Sequence, residues 1–488
     1  MVGQGHFEGT RHDNAAALFR RHDRIGHQRG VFAPMTAVFL VLIFTLCAMA
    51  LGLSQLYNRK VELQAVASSV ALAAARELNG SDAGVALALQ KAATTAERFT
   101  YNYQEPIVWS DSAISFASSA DGEWVSAGGG DAKKMFYVKV DTAKLGGSTG
   151  LVAPVFAQFL PSANAVEVSS SAVAGRVGVT VVPLAICALS SVPGAPRGLE
   201  LLEYGFRRGI PYNLLHLNPG GPNPEHFVID PLVAPGASAT GHNTSPAVVG
   251  PFVCTGKMWM PRVTGGEIQV SRPFPIGSLY QQFNSRFDQY PGGLCSPNGA
   301  PPDFNVRAFT GTWMKPNQTA PFVTPFQGAN ELLTVAERSA PGGTQPEMWG
   351  ALWSYAKAVK YSSYQAGQPE PQPPLAGYAT FSASPDFLTL YHPGLTAPSY
   401  PNSLAGGTPY RSSVTNPPTN RRLAEENRRV LNVPLLACPV APGAHVKAEV
   451  LAVGKFFMTE PATATRIVGE FAGIAPAQTL VDQVELFK

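Results

Sequence analysis

Charge is scarce in this 488-residue chain. Charged residues make up 14%, and 36 basic against 33 acidic side chains leave a net charge of +3. So even a balance does not build the one-signed surface that nucleic acid requires, and no recognition helix, basic stripe or finger-type metal spacing is present. CxxC, HExxH, GxSxG and P-loop motifs are all missing, as is a Gly-rich fingerprint in strand–helix context. The residue patterns that announce zinc, acyl-transfer or nucleotide chemistry are therefore lacking. No cofactor and no catalytic residues are expected. What is plentiful is 47 Gly and 43 Pro, which predict many turns and long irregular connections instead of a helical bundle.

One apolar run stands out. Val31 to Leu56, VFAPMTAVFLVLIFTLCAMALGLSQL, holds 26 residues without a charge. As a helix it spans roughly 39 Å, enough for the hydrocarbon layer and part of an interface. A lone segment in lipid satisfies its backbone only as a helix. Pro34 lies in the first turns, where a missing N–H costs little. Before the run come Arg11, Arg20, Arg21, Arg24 and Arg29 with Glu8, Asp13 and Asp23; after it come Arg59, Lys60 and Glu62. This basic bias, with Arg20, Arg21, Arg24 and Arg29 nearest the run, predicts a cytoplasmic N-terminus and an exported C-terminal mass. A cleaved secretory signal is the competing reading, with Ala48-Met49-Ala50 as its cleavage site, but the run is much longer than a signal core.

The helix is expected to continue. In Val61 to Leu78, VELQAVASSVALAAAREL, residues Leu63, Val66, Val70, Ala74 and Leu78 recur three or four apart on one face. That face suits packing on the chain's own domain or on partner helices equally. Asn79-Gly80 predicts the stop, and Ser81 or Asp82 can cap a second helix running to about Phe99.

Arg29 to Gly80 resembles the N-terminal segment of bacterial TadG-like proteins of Flp (tight adherence) pilus assembly systems. The resemblance is carried by the Arg-Gly before the membrane run, Leu56-Tyr57 after it, Leu63-Gln64, and the Ala-rich continuation to Ala75-Arg76-Glu77-Leu78. Segments Pro222 to Pro231, Phe283 to Tyr290, Val430 to Pro439 and Phe456 to Ala462 are similar to segments of longer members. The resemblance implies a bitopic inner-membrane component of a Gram-negative pilus apparatus. Its partners would be pilus-assembly membrane proteins or pilin-like subunits. Two features depart from relatives. Gly30 is followed by Val31, Phe32, Ala33, Pro34 and Met35, without the Glu that prepilin processing expects at the fifth position. The Asp-x-Ser-x-Ser loop of a von Willebrand type A domain is also missing, so metal-dependent adhesion is not carried over.

Beyond the stem the chain reads as strands and turns. Tyr137 to Asp141 alternates. Arg176 to Leu189 is apolar, but its core is short and Pro183 interrupts it, which favours a buried strand over a second span. Between 190 and 320, Trp259, Phe274, Tyr280, Phe283, Phe287 and Tyr290 could line a binding face or fill a core beneath long loops. Short helices are possible at Glu331 to Arg338 and Pro346 to Val359. Gln368 to Asn420, with 11 prolines, reads as a connector. Val446, Ala448 and Val450 alternate with Lys447 and Glu449, and Ala464 to Ala472 offers another strand. The expected fold class is a membrane-anchored α+β protein: a single N-terminal transmembrane helix continued by a helical stem, then a β-rich periplasmic body. Its divisions fall at 1–30, a basic tail; 31–57, the span; 58–99, the stem; 100–367, a β-rich domain; 368–420, the Pro-rich connector; and 421–488, a terminal β-rich segment.

Of the cysteines, Cys47 lies in the apolar run, while Cys187, Cys254, Cys295 and Cys438 lie beyond it. An even number in an oxidising compartment predicts two disulfides with three possible connectivities. His216, His226, Asp230 and His242 are close in sequence, but their spacing fits no compact ligand pattern and favours loop histidines. The preferred reading is a component of Flp-type pilus assembly. The alternatives are a periplasmic or surface adhesin and a membrane-anchored enzyme with an unrecognised site.

Overall fold

The computed structural model describes residues 32–102, 104–147, 149–153, 165–221, 223–236, 241–308, 333–334, 349–350, 355–356, 359–365 and 416–487. They divide into two units. One is drawn from Met1–Asn58 and Leu151–Glu167, the other from Arg59–Gly150 and Val168–Lys488.

Helix α1 (Phe32–Glu77) is 46 residues long and changes character along its length. In the first unit its side chains are apolar on every side and uncovered: Met35 is 70%, Phe39 66% and Phe44 68% exposed. Among the described residues it is the one helix long and apolar enough to cross a membrane. From Leu63 onward the pattern narrows to a stripe. Leu63, Val66, Val70, Ala74 and Leu78 are at most 2% exposed, and Ala67, Ala71 and Ala75 are fully covered. Burying each larger member of this stripe contributes about 1.5–3 kcal/mol.

What covers the stripe is the chain's own body. Helix α2 (Asp82–Ala96) begins at Ser81, whose Oγ accepts a hydrogen bond from the Gly84 N–H. Its buried Ala88, Ala92 and Ala96 allow close approach. Strands β1 (Ile114–Ala117), β2 (Tyr137–Asp141), β3 (Ser171–Val179) and a C-terminal strand, Val481–Phe487, form an antiparallel sheet with the C-terminal strand at one edge, then β3, β2 and β1. Val138 and Val140, alternate residues of β2, pack with Leu63, Val66 and Val70 of the helix in one cluster. Arg176 of β3 is buried and donates to the Leu78 carbonyl just past the end of α1. A cation there complements the helix terminus, while burial lowers the guanidinium to about 10.

The apolar run from Arg176 holds the end of β3 and all of β4 (Leu184–Cys187), separated by residues 180–183 with Pro183 at their end. A second sheet follows, built from β4, β5 (Pro211–Asn213), β6 (His226–Ile229), β7 (Glu267–Ser271), β8 (Val430–Leu436), β9 (His445–Met458) and β10 (Val468–Ile474). The C-terminal strand, in the first sheet, is β11 (Val481–Phe487). The order in this seven-stranded sheet is β5-β10-β9-β7-β6-β4-β8, and β8 pairs again with β9. Strands β9, β7, β6, β4 and β8 thus close a ring. The closure is possible because β9 is 14 residues long: residues 445–449 pair with β7, and residues 450–457 pair with β8 on its other side. Strand alternation separates two cores. Ala185, Cys187, Phe227, Ile229, Ile268 and Val450 belong to one; Leu184, Ile186, Val228, Leu431, Val433 and Leu435 belong to the other. Helices α3 (Pro246–Thr255) and α4 (Ile276–Phe283) cover the second core with Val249, Val253, Leu279 and Phe283.

Residues beyond the Pro-rich stretch are therefore interleaved with those before it: β8, β9 and β10 pair with β4, β7 and β5, and β11 pairs with β3. The Pro-rich stretch is described only from Asn416, whose N–H donates to Asn305 Oδ1. Where the sequence suggests short helices at 331–338 and 346–359, Leu333–Thr334 and Trp349–Gly350 instead pair as short parallel strands; most of the remainder of both segments lies outside the described residues. Strand β10 also starts four residues later than the Ala464 the sequence suggests.

Candidate functional site

The apolar first half of α1 is uncovered, and the residues after it make their contacts within the second unit. Arg59, the first basic residue past the run, is buried. It donates to Glu62 at 2.8 Å and to Asn102 Oδ1, and its guanidinium lies 5.5 Å from the Tyr101 ring centre. The Asn102 N–H in turn donates to Glu62. Burial pushes the Tyr101 hydroxyl above its usual value, with Arg59 opposing. The basic residues proposed to orient the span, Arg20, Arg21, Arg24 and Arg29, lie outside the described residues, as does the rest of the tail. Cys47 is a free thiol on the exposed run.

The other four cysteines form two disulfides. Cys187 joins Cys438 and Cys254 joins Cys295. Cys187 ends β4, opposite Leu436 of its parallel neighbour β8, so the first bond fastens the contact that closes the ring. The second fastens α3 to the loop before Ala300 and buries both half-cystines against Tyr290. Cys187, Glu225 and Cys438 bring three potential ligand atoms within 4.8 Å of one another, but both sulfurs are spent in the disulfide. Glu225 also lies 3.9 Å from Arg272.

The histidines are used separately. Asp230 accepts from the N–H groups of Leu232 and Asn243 and from the Asn243 side chain, a turn-capping role. His242 stacks on His445 with ring centres 3.7 Å apart. His226 Nδ1 accepts from the Phe274 N–H at 3.0 Å. Burial, with a smaller push from His216, holds His226 at about 4. This lowering has a consequence for stability. The unfolded imidazole titrates near about 6.5, so the neutral form stabilises the fold fully above that pH. The contribution is lost as pH falls from there through the folded value of about 4. Acidification across that window should remove about 2–3 kcal/mol. His226→Asn, whose Oδ1 can take over the Phe274 hydrogen bond, should flatten the dependence. Urea midpoints measured at pH 7, 5.5 and 4.5 check this; parallel curves for the two proteins would refute it.

The aromatics that could have lined a binding face mostly fill the core. Phe274, Phe283 and Phe287 are buried, and Tyr280 packs against the same cluster, while Trp259 is 70% exposed. Sequence reasoning missed the buried charges. Arg207 donates from Nε to both oxygens of Glu200, and Arg208 grips Glu203 through Nε and Nη2 at 2.6 and 2.9 Å. It also missed a cleft of about 440 Å³ beside the C-terminus of α3, with Lys257, Arg286 and Arg428 among its lining residues.

Among known proteins, the family model for Flp pilus-assembly TadE/G-like proteins (Tad) matches residues 30–77, a small part of the chain. No curated protein and no solved structure matches.

Proposed function

We propose that this chain is a bitopic inner-membrane component of an Flp-type pilus assembly apparatus, with a cytoplasmic basic tail and a periplasmic body. The observation that carries the reading is the coincidence of two stretches. The Tad model matches residues 30–77, and α1 over Phe32–Glu77 is uncovered and apolar before it becomes a stem buried in its own body. A segment with this division of labour anchors a domain in a bilayer. Because the stem's apolar face is taken by α2 and the first sheet, the surface left for membrane partners is the lipid-level half, Met35 to Leu53. Pilus-assembly membrane proteins or pilin-like subunits are the partners that fit.

Orientation follows from the charges. Arg20, Arg21, Arg24 and Arg29 precede the run, and basic flanks stay cytoplasmic. Asn14→Cys should therefore be protected from a membrane-impermeant maleimide in intact cells, and Gly443→Cys labelled, in a Cys47→Ser background. Labelling at position 14 without permeabilisation would reverse the topology. For the assembly role, deletion of the gene should abolish surface pili, and a version carrying an unrelated transmembrane helix in place of residues 31–57 should fail to restore them. Normal piliation in the deletion strain would reject the assignment.

A further inference from the structure

A fully buried cation faces the cleft beside α3. Arg286 is 1% exposed, and among the described residues no carboxylate lies within ion-pair reach of it. Its Nε has no hydrogen-bond partner. Nη1 makes one long bond, 3.5 Å, to the Phe283 carbonyl of its own turn. The guanidinium lies 5.6 Å from the Phe283 ring centre and presses on Gly256, where a Cβ would meet Nη2 at 2.8 Å. Gly256, with φ near +74°, ends α3; a side chain there would be strained and would displace the guanidinium. A buried cation held so sparingly is costly. Burial and the neighbouring Arg428 both drive its proton affinity well down, and an anion arriving in the cleft would offset both effects.

Arg286 is not alone there. Arg428 lines the same cleft, anchored by donating to the Cys254, Thr255 and Pro301 carbonyls at 2.8–3.0 Å. Lys257, 45% exposed at the side, is held by Asp482 at 2.5 Å. Glu425 and Glu426 also line the cleft but are exposed, so the carboxylates sit at the rim while the arginine lies deep. Thr180, Asn432 and Tyr355 make the remaining wall polar. A buried arginine below, with two further cations and hydroxyl or amide groups around it, has the features of an oxyanion site.

We infer that this cleft binds a small polar ligand through a carboxylate or phosphate group, received by Arg286 at its floor with Arg428 and Lys257 completing the charge. The planar fork of Arg286 supplies direct donors, and the two neighbours supply field. Rim carboxylates favour a ligand that is anionic at one end and neutral or cationic at the other.

Isothermal titration of the detergent-solubilised full-length protein tests this, with sodium phosphate, sodium glucuronate and, as control, sodium chloride at matched ionic strength. Saturable single-site binding of phosphate or glucuronate, without a chloride response, is expected, and the better of the two identifies the group. Arg286→Met should weaken that binding about tenfold or more, the loss of one charged hydrogen-bonding partner. Lys257→Ala, at a partly exposed position, should weaken it several-fold and keep the fold, which covers the case in which Arg286→Met does not fold. Absence of saturable binding by either anion overturns the inference. So does binding that Arg286→Met leaves unchanged or, if that variant does not fold, that Lys257→Ala leaves unchanged.

Discussion

The Cys187→Ser/Cys438→Ser double variant should lose about 4–5 kcal/mol of stability, the upper part of the range for a native disulfide. The bond spans 251 residues, so it withdraws a very long loop from the unfolded ensemble, and the cost of opening that loop grows with the logarithm of its length. Its position raises the stake. Strands β4 and β8 meet in parallel through Leu435↔Ile186 and Leu436↔Cys187, in a sheet whose other pairings among the described residues are antiparallel. Parallel contacts are slightly weaker per residue, and this one is the seam of the five-strand ring. Replacing both sulfurs avoids leaving a reactive partner thiol. Hydrogen exchange should then quicken first at Val430 to Leu436 and Leu184 to Cys187, while α1 and α2 stay protected. The matching Cys254/Cys295 pair closes a span of only 41 residues; its removal should cost about 1.5 kcal/mol less. Cys47→Ser should leave the midpoint alone. A double variant at 187 and 438 with a wild-type urea midpoint would mean that the seam is held by the packing of Ile186, Leu435 and Val228.

Local periodicity made the first quarter of the chain readable. Twenty-six uncharged residues in a row announce one helix whatever follows. The three-and-four spacing from Leu63 to Leu78 marks the face that is in fact buried. Alternation places β2 at Tyr137 to Asp141. None of these depends on a distant partner. The spacing alone left two possible covers for the stem, because a helix face looks the same whether its own sheet or another helix lies against it. The second sheet was illegible for a different reason. Its order joins residues 184–187, 211–213, 226–229 and 267–271 to strands beyond 430, and alternation says which side of a strand is apolar, not which strand lies beside it. The connectivity of the cysteines shares that limit. The oxyanion cleft rests on side chains at 257, 286 and 428 that no local pattern unites. Glu200 and Arg207 look like ordinary surface charges in GLELLEYGFRRG; only the turn that returns Arg207 to Glu200 shows that both are buried.

Arg429 is the sharpest instance, and its replacement should be the most damaging single change described for this chain. In sequence it ends the charged stretch Glu425 to Arg429. In the structure Arg421 and Arg422 are exposed while Arg429 is completely buried. Its Nε and Nη2 donate to the Met458 carbonyl at 2.9 and 2.6 Å, Nη1 to those of Asn305 and Arg307 at 2.8 Å, and Nη2 also to Thr459 at 3.2 Å. The Arg429 N–H donates to Asp303 Oδ2 at 3.0 Å. Phe287 and Phe457 flank the guanidinium, each with its ring centre 4.4 Å away. One side chain thus satisfies the end of β9, the loop at 303–307 and the start of β8 together. Arg429→Met keeps the apolar stem but leaves four carbonyls without that donor. At about 1–3 kcal/mol for each buried group left unsatisfied, partly relieved by water, the loss should exceed about 4 kcal/mol. Arg429→Lys should recover little of it, because one ammonium with three donors does not span carbonyls arranged around a planar fork. Arg422→Ala, a few residues earlier and exposed, should change the midpoint by less than about 0.5 kcal/mol. Urea denaturation of the three variants separates them. Equal midpoints for Arg429→Met and Arg422→Ala would show that the guanidinium is not what joins these three segments, and that the aromatic pair and the Asp303 contact suffice.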